Sequence, residues 1–77
     1  MAVLNTDVFY SNIEAERARK GWTLKEAAEH IGIGEKTYRE RLAAGKDVSA
    51  SALIQYATAF GVSTDYLLGL SDKINII

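Results

Sequence analysis

The side chains in this chain that are equipped to do chemistry are mostly cations, and they are bunched. Eight of the nine lysines and arginines fall between residues 17 and 46: Arg17, Arg19, Lys20, Lys25, Lys36, Arg39, Arg41 and Lys46. Four acids share that window, Glu26, Glu29, Glu35 and Glu40, so it carries +4 although the whole chain has a formal net charge of -1. Salt screens charges separated by more than roughly 10 Å, so a local excess governs contact with an anion more than the total does. The pattern points to an anionic partner at this window. The plainer alternative is solvated helix faces, and for part of the set that reading holds.

Catalytic chemistry finds little to work with. The chain has no cysteine, which removes disulfides and thiolate metal sites from consideration. His30 is the sole histidine and lies beside an apolar helical stripe rather than in it, so a solvated surface position is expected. No Cys/His pair, metal-ligand spacing, phosphate-cradling glycine loop or sequestered acid pair can be assembled. The expectation is a protein that is not an enzyme, with no metal, no cofactor and no small-molecule ligand; no sensor domain is expected.

The elements that must position the cations follow from local patterns. Thr23 and Glu26 have the Ser/Thr-x-x-Glu spacing in which two side chains satisfy free amides at a helix start. Leu24, Ala27, Ala28 and Ile31 follow at the spacing of one buried helical face, and the small alanines allow close backbone packing. Gly32 sits where the chain must leave the helix, because glycine takes positive φ without a Cβ clash. Ile33 returns to the core, and a second amphipathic segment starts at Glu35 with Tyr38 and Leu42 on its inner side. Residues 23–44 thus read as a helix-turn-helix, a unit suited to pushing its second helix into a groove.

An earlier helix is expected from a cap at Thr6 or Asp7, in preference to a later start at the Ser11/Glu14 pair. Val8, Phe9 and Ile13 are expected to face inward, with Ala18 as an outlying member. This helix ends in Arg17-Ala18-Arg19-Lys20 before Gly21, cations that suit the negative end of its dipole. Trp22 reads as a core plug under the two-helix unit rather than a stacking platform. Beyond a loop at 45–48, Ser49 or Ser51 opens a fourth helix with an apolar stripe of Leu53, Ile54, Ala57 and Phe60, closed by Gly61. Ser63-Thr64-Asp65 then caps a short fifth helix at Tyr66-Leu67-Leu68, stopped by Gly69.

Seventy-seven residues make one domain, and a chain this short buries only about 60% of its unfolded surface, so a single economical core is required. Hydrophobic residues at 48% and charged ones at 25% fit a globular class rather than a disordered one. With no proline, helices must be ended by glycine and caps. No apolar run approaches membrane-spanning length and no signal pattern opens the chain, so a cytoplasmic location is expected. The organisation expected is a flexible leader over 1–5, an all-α domain over 6–70 and an apolar tail over 71–77, whose three isoleucines pack back or pair with a second copy.

Several of these stretches together carry a resemblance. They are Arg19-Lys20-Gly21-Trp22-Thr23 with Ala28, Gly32 and Ile33, then Gly45-Lys46, then the run from Ala59 to Gly69 (AFGVSTDYLLG). From about Asn12 to Gly69 the chain resembles the Cro/C1-type (XRE-like) helix-turn-helix regulators of bacteria and their phages. That resemblance implies a compact five-helix, lambda-repressor-like domain that binds duplex DNA, generally as a homodimer on a two-fold operator, and acts as a transcriptional repressor or regulator. By position, Thr23 and Lys25 fall where the family touches the phosphate backbone. Glu35, Lys36, Thr37, Arg39 and Glu40 fall where base edges are read in the major groove, and Lys46 at another phosphate site. Lys36 and Arg39 are the foremost base-contact candidates, since Lys and Arg donate to guanine O6 and N7. Glu35 either accepts from a cytosine or only complements the helix dipole.

Several residues depart from the family pattern. Leu24 replaces the common Gln, removing a phosphate donor, and Gly34 replaces the usual Ser/Thr cap of the third helix. Arg41 stands where a second apolar residue usually follows Tyr38, and Ala43-Ala44 bring the glycine one position late. A longer or rotated third helix is the expectation. A different class of function fits the same fold: a protein-interaction module such as an antirepressor or assembly factor, suggested by the acidic total, the acids in the third helix and the apolar tail.

Overall fold

A computed structural model describes residues 6–45 and 47–71 of the chain. The expected leader, Lys46 and the tail from residue 72 lie outside the described residues. Five helices follow one another: α1 (Thr6–Lys20), α2 (Leu24–Ile31), α3 (Glu35–Ala44), α4 (Ala50–Phe60) and α5 (Thr64–Leu67). The domain is all-helical, as its periodicities require. α2 packs on α3 and α4, α1 packs on α4 and α5, and α4 touches α5 as well. α4 is therefore the post against which both the α2–α3 unit and the α1–α5 pair lean.

Each boundary has a local cause. At α2 both halves of the capping box form: the Glu26 amide donates to Thr23 Oγ1 at 3.1 Å and the Thr23 amide to Glu26 Oε1 at 2.9 Å. Gly32 ends α2 at φ 93°, its amide donating to the Ala28 carbonyl at 2.9 Å, a left-handed conformation that costs an L-residue roughly 1–2 kcal/mol. Ser49 and Ser63 cap α4 and α5 by accepting from the amides three residues on. α1 begins one step earlier than expected: Thr6 and Asp7 lie inside its first turn, so neither is the cap. α5 likewise runs Thr64–Leu67 from the Ser63 cap.

The core joins Phe9, Tyr10 and Ile13 of α1, Ala27, Ala28 and Ile31 of α2, Tyr38 of α3, Tyr56, Ala57 and Phe60 of α4, Val62, and Leu67 of α5. Phe9 makes edge-on contacts with Tyr10 (5.0 Å between centroids) and Tyr56 (5.4 Å), a favoured aromatic geometry. Two inward assignments are corrected. Ala18 is exposed, and Ile54 leaves 60% of its surface open while Tyr56 is fully buried. At about 100° per residue, Leu53, Tyr56, Ala57 and Phe60 share one arc, and Ile54 sits roughly 100° from Leu53 on the far side of it. The tyrosine hydroxyl finds a polar partner inside the fold, which lets that ring take the inner place.

A polar strut fixes α1 to α5. Asn12 Nδ2 donates to the Tyr66 carbonyl at 2.9 Å, and the Tyr66 hydroxyl donates to Glu16 Oε2 at 3.2 Å. Glu16 is buried and also pairs with Arg19. A buried carboxylate is tolerable because it is both hydrogen-bonded and charge-paired.

Candidate nucleic-acid interface

The start of α2 and the outer face of α3 are both exposed, on two helices that pack against each other. Thr23 and Lys25 are exposed at the first of these places; Lys36, Thr37, Arg39 and Glu40 are exposed on α3, and Glu35 is half-buried at its start. Only Tyr38 of α3 is buried. With about 100° per residue, Lys36 and Glu40 point within roughly 20° of the direction opposite Tyr38, so they form the crest of the helix. Arg39 lies about 80° from the crest, on the flank shared with Glu35. Thr37 lies about 80° away on the other flank.

The connection from α1 fixes where this surface begins. Arg17 pairs with Glu14 and donates from Nη1 to the Trp22 carbonyl at 2.7 Å. Trp22 is half-buried, tilted against Phe60 at 5.4 Å on one side, while His30 stacks on it at 3.9 Å with planes 8° apart. Trp22 is thus both the expected plug and a platform. His30 is exposed as expected, yet it covers the indole instead of standing free in solvent. Lys20 Nζ stands 5.4 Å from the same indole.

These contacts revise the charge argument. Arg17 and Arg19 are matched by Glu14 and Glu16, which lie just before the window that was counted. Including those two acids sets eight cations against six and leaves +2 for residues 14–46. Lys25 and Lys36 remain exposed, and Arg39 is exposed but ion-paired to Glu35. The positive field is therefore narrower than the sequence suggested: residues 23–45 hold four cations and four acids, so the excess comes from Lys20 and Lys46, on either side of the two-helix unit.

Behind α3, Arg41 stays half-buried beside Leu42 and donates from Nη1 to the Tyr56 hydroxyl at 3.2 Å. Arg41 thus takes a half-buried place by hydrogen-bonding instead of by apolar packing. Nearby, burial and the neighbouring Tyr56 push the Tyr10 hydroxyl above the ordinary tyrosine range, with Asp47 adding to this and Arg41 opposing it. Tyr38, fully buried, carries a hydroxyl with no hydrogen-bond partner among the described residues, and burial, with Glu14 adding to it, raises its pKa strongly. At α2, the Thr23 amide and then the Thr23 hydroxyl hold the Glu26 carboxyl below the usual carboxylate range.

Gly34 precedes α3 in extended geometry (φ -72°, ψ 151°) and makes no side-chain cap, as its lack of a side chain dictates. The Tyr38 amide closes the first turn on the Gly34 carbonyl at 3.0 Å. The surface is thus two helix starts, one side-chain-capped and one bare, joined by a turn whose geometry Gly32 sets. A family model described as helix-turn-helix matches residues 13–67, from the middle of α1 to the end of α5.

The chain belongs to this family, the Cro/C1-type helix-turn-helix proteins. Among curated proteins it is similar to the HTH-type transcriptional regulator ImmR of Bacillus subtilis (strain 168). The two are 35% identical over 57 residues, which cover 74% of this chain and 45% of ImmR. The chain thus matches under half the length of that relative. No solved structure matches at comparable stringency. The helix-turn-helix domain carries the DNA-binding assignment of its family, and among the described residues no helix is long and apolar enough to cross a membrane.

Sequence reasoning missed the Glu35–Arg39 pair and the commitment of Arg17 to the backbone at Trp22. The first had a signal available, a Glu four residues before an Arg on one helical flank. The second had none, because the acceptor is a main-chain carbonyl whose direction only the turn decides.

Proposed function

We propose that this chain binds duplex DNA sequence-specifically and acts as a transcriptional repressor, laying α3 in the major groove. The observation that supports this best is the division of α3: one buried anchor, Tyr38, and an outer face that offers Lys36, Thr37, Arg39 and Glu40. A groove about 12 Å wide admits a helix presented in this way. In this reading Lys36 and Arg39 donate to base edges, with Glu35, Thr37 and Glu40 beside them. Thr23 and Lys25 at the start of α2 contact phosphates, as does Lys46. The curated relative's description as a transcriptional regulator supports the regulatory role.

A two-fold operator calls for a homodimer. Exposed Ile54 and Leu70 supply apolar area outside the DNA-facing surface for such a contact. Sedimentation of the chain with operator present is expected to give two protomers per duplex. One protomer per duplex would remove the homodimer from this reading.

Salt dependence separates DNA binding from a protein-only role. Affinity for duplex DNA is expected to fall steeply with salt, with a log–log slope of about -0.9 for each phosphate neutralised. Binding that is absent, or insensitive to salt, contradicts the proposal and favours the antirepressor or assembly-factor reading.

A further inference from the structure

The pairing of Arg39 with Glu35 is the one charge contact made wholly within the exposed part of the reading helix among the described residues. The two stand one turn apart on the same flank of α3, Glu35 in its first turn. Their surroundings differ. The Glu35 side chain is 34% exposed and the Arg39 side chain 60%, so the carboxylate is the more covered of the two. A carboxylate in the first turn also lies at the positive end of the helix dipole, which favours keeping it there.

We propose that Glu35 is a positioning residue for sequence reading: it reads no base itself but orients the Arg39 guanidinium toward one. This rests on the DNA-binding role proposed above and assigns a division of labour within its site. The contact uses Nη2 of Arg39 and Oε2 of Glu35. A guanidinium is a rigid planar fork with five N–H donors, so fixing one nitrogen sets the plane of the others. The remaining donors can then meet guanine O6 and N7 as a bidentate pair. As a stabilising feature an exposed ion pair of this kind contributes little, so orientation is its main physical consequence.

The same carboxylate has a second effect. It faces a polyanion, and its repulsion of phosphates applies to every DNA sequence alike. The benefit of an oriented Arg39 applies only where the right base is present. A residue that weakens all complexes and strengthens one raises the difference between them, which is what specificity measures. Glu35 stands on the flank of α3, farther from its crest than Arg39, which favours the arginine as the base reader.

The test selects duplexes from a random pool with the wild-type chain and with E35Q, R39A and the E35Q/R39A double variant. Affinities for selected and bulk duplex are then measured, with helix content checked by circular dichroism. E35Q and R39A are expected to relax preference at the same base pair. Discrimination there falls roughly tenfold in R39A, near the low end of what one bidentate contact supplies, and about two- to fivefold in E35Q, the most an exposed ion pair can confer. The double variant is expected to discriminate no worse than R39A, and E35Q to bind bulk duplex more tightly than wild type. If E35Q shifts preference at a different base pair from R39A, Glu35 reads a base directly and the positioning role is overturned. It is overturned equally if E35Q leaves all preferences unchanged. A wild-type chain that selects no sequence overturns the DNA-binding reading itself, and this proposal with it.

Discussion

The two helices of the helix-turn-helix are held in different ways. α2 has eight residues, buries three of them (Ala27, Ala28 and Ile31) and is locked at its start by a reciprocal capping box. α3 has ten residues, buries Tyr38 and starts at a glycine that supplies no side-chain cap. One helix spends its side chains on the domain, and the other keeps them for the outside. The difference teaches how so small a core supports a reading surface. Rigidity is concentrated in α2 and passed to α3 through the Gly32 turn and a single tyrosine, with Arg41 and Leu42 as half-buried supports. The functional helix therefore depends on very few contacts.

That contrast can be broken most severely at Tyr38. Tyr38→Ala is expected to cost about 3–5 kcal/mol, the range for removing a large buried aromatic side chain, as measured by urea unfolding. A cost under about 1 kcal/mol would mean that α3 is held elsewhere. A smaller effect is expected at the other helix: Thr23→Ala loses the cap acceptor and about 1 kcal/mol. The same box gives a pH dependence. The Glu26 carboxyl is held low in the folded chain, first by the Thr23 amide and then by the Thr23 hydroxyl. Its contribution is therefore present above the pKa of the unfolded chain and is lost as pH falls through the folded-state value. Glu26→Gln is expected to lower stability at neutral pH and leave it little altered at acid pH, so that this part of the acid slope disappears. The smallest effect returns to Tyr38. Its hydroxyl is buried without a partner among the described residues, so Tyr38→Phe removes a desolvated polar group and is expected to lose nothing, with a gain of up to about 1 kcal/mol. Tyr38→Ala and Tyr38→Phe together separate the ring's anchoring role from the hydroxyl.

The features legible beforehand were those decided within one turn of chain. Thr23 and Glu26, and Ser49 before α4, act on amides three residues away, and Gly32 at its left-handed φ sends its own amide to a carbonyl four residues back. What escaped depends on partners far along the chain. Glu16 looks like a surface residue until Tyr66, fifty positions later, donates to it. Tyr56 outranked Ile54 for the core because its hydroxyl meets Arg41 of α3, so a polar atom was compatible with full burial. The charge window misled for a related reason: the acids matching Arg17 and Arg19 stand three residues earlier on α1, outside the stretch where the cations cluster. On the candidate surface itself, the residue types were readable, and so was the helix that carries them. The pairing of Arg39 with Glu35 is a side-chain choice that spacing allowed without requiring.

The most direct measurement is an amide chemical-shift map of the chain titrated with a duplex selected from a random pool. The account predicts the largest changes at residues 23–25 and 35–40, with the amides around Ile54 and Thr64–Leu67 changing far less. Changes centred on Ile54 and α5, with α3 silent, would contradict the assignment of α3 as the helix that reads DNA.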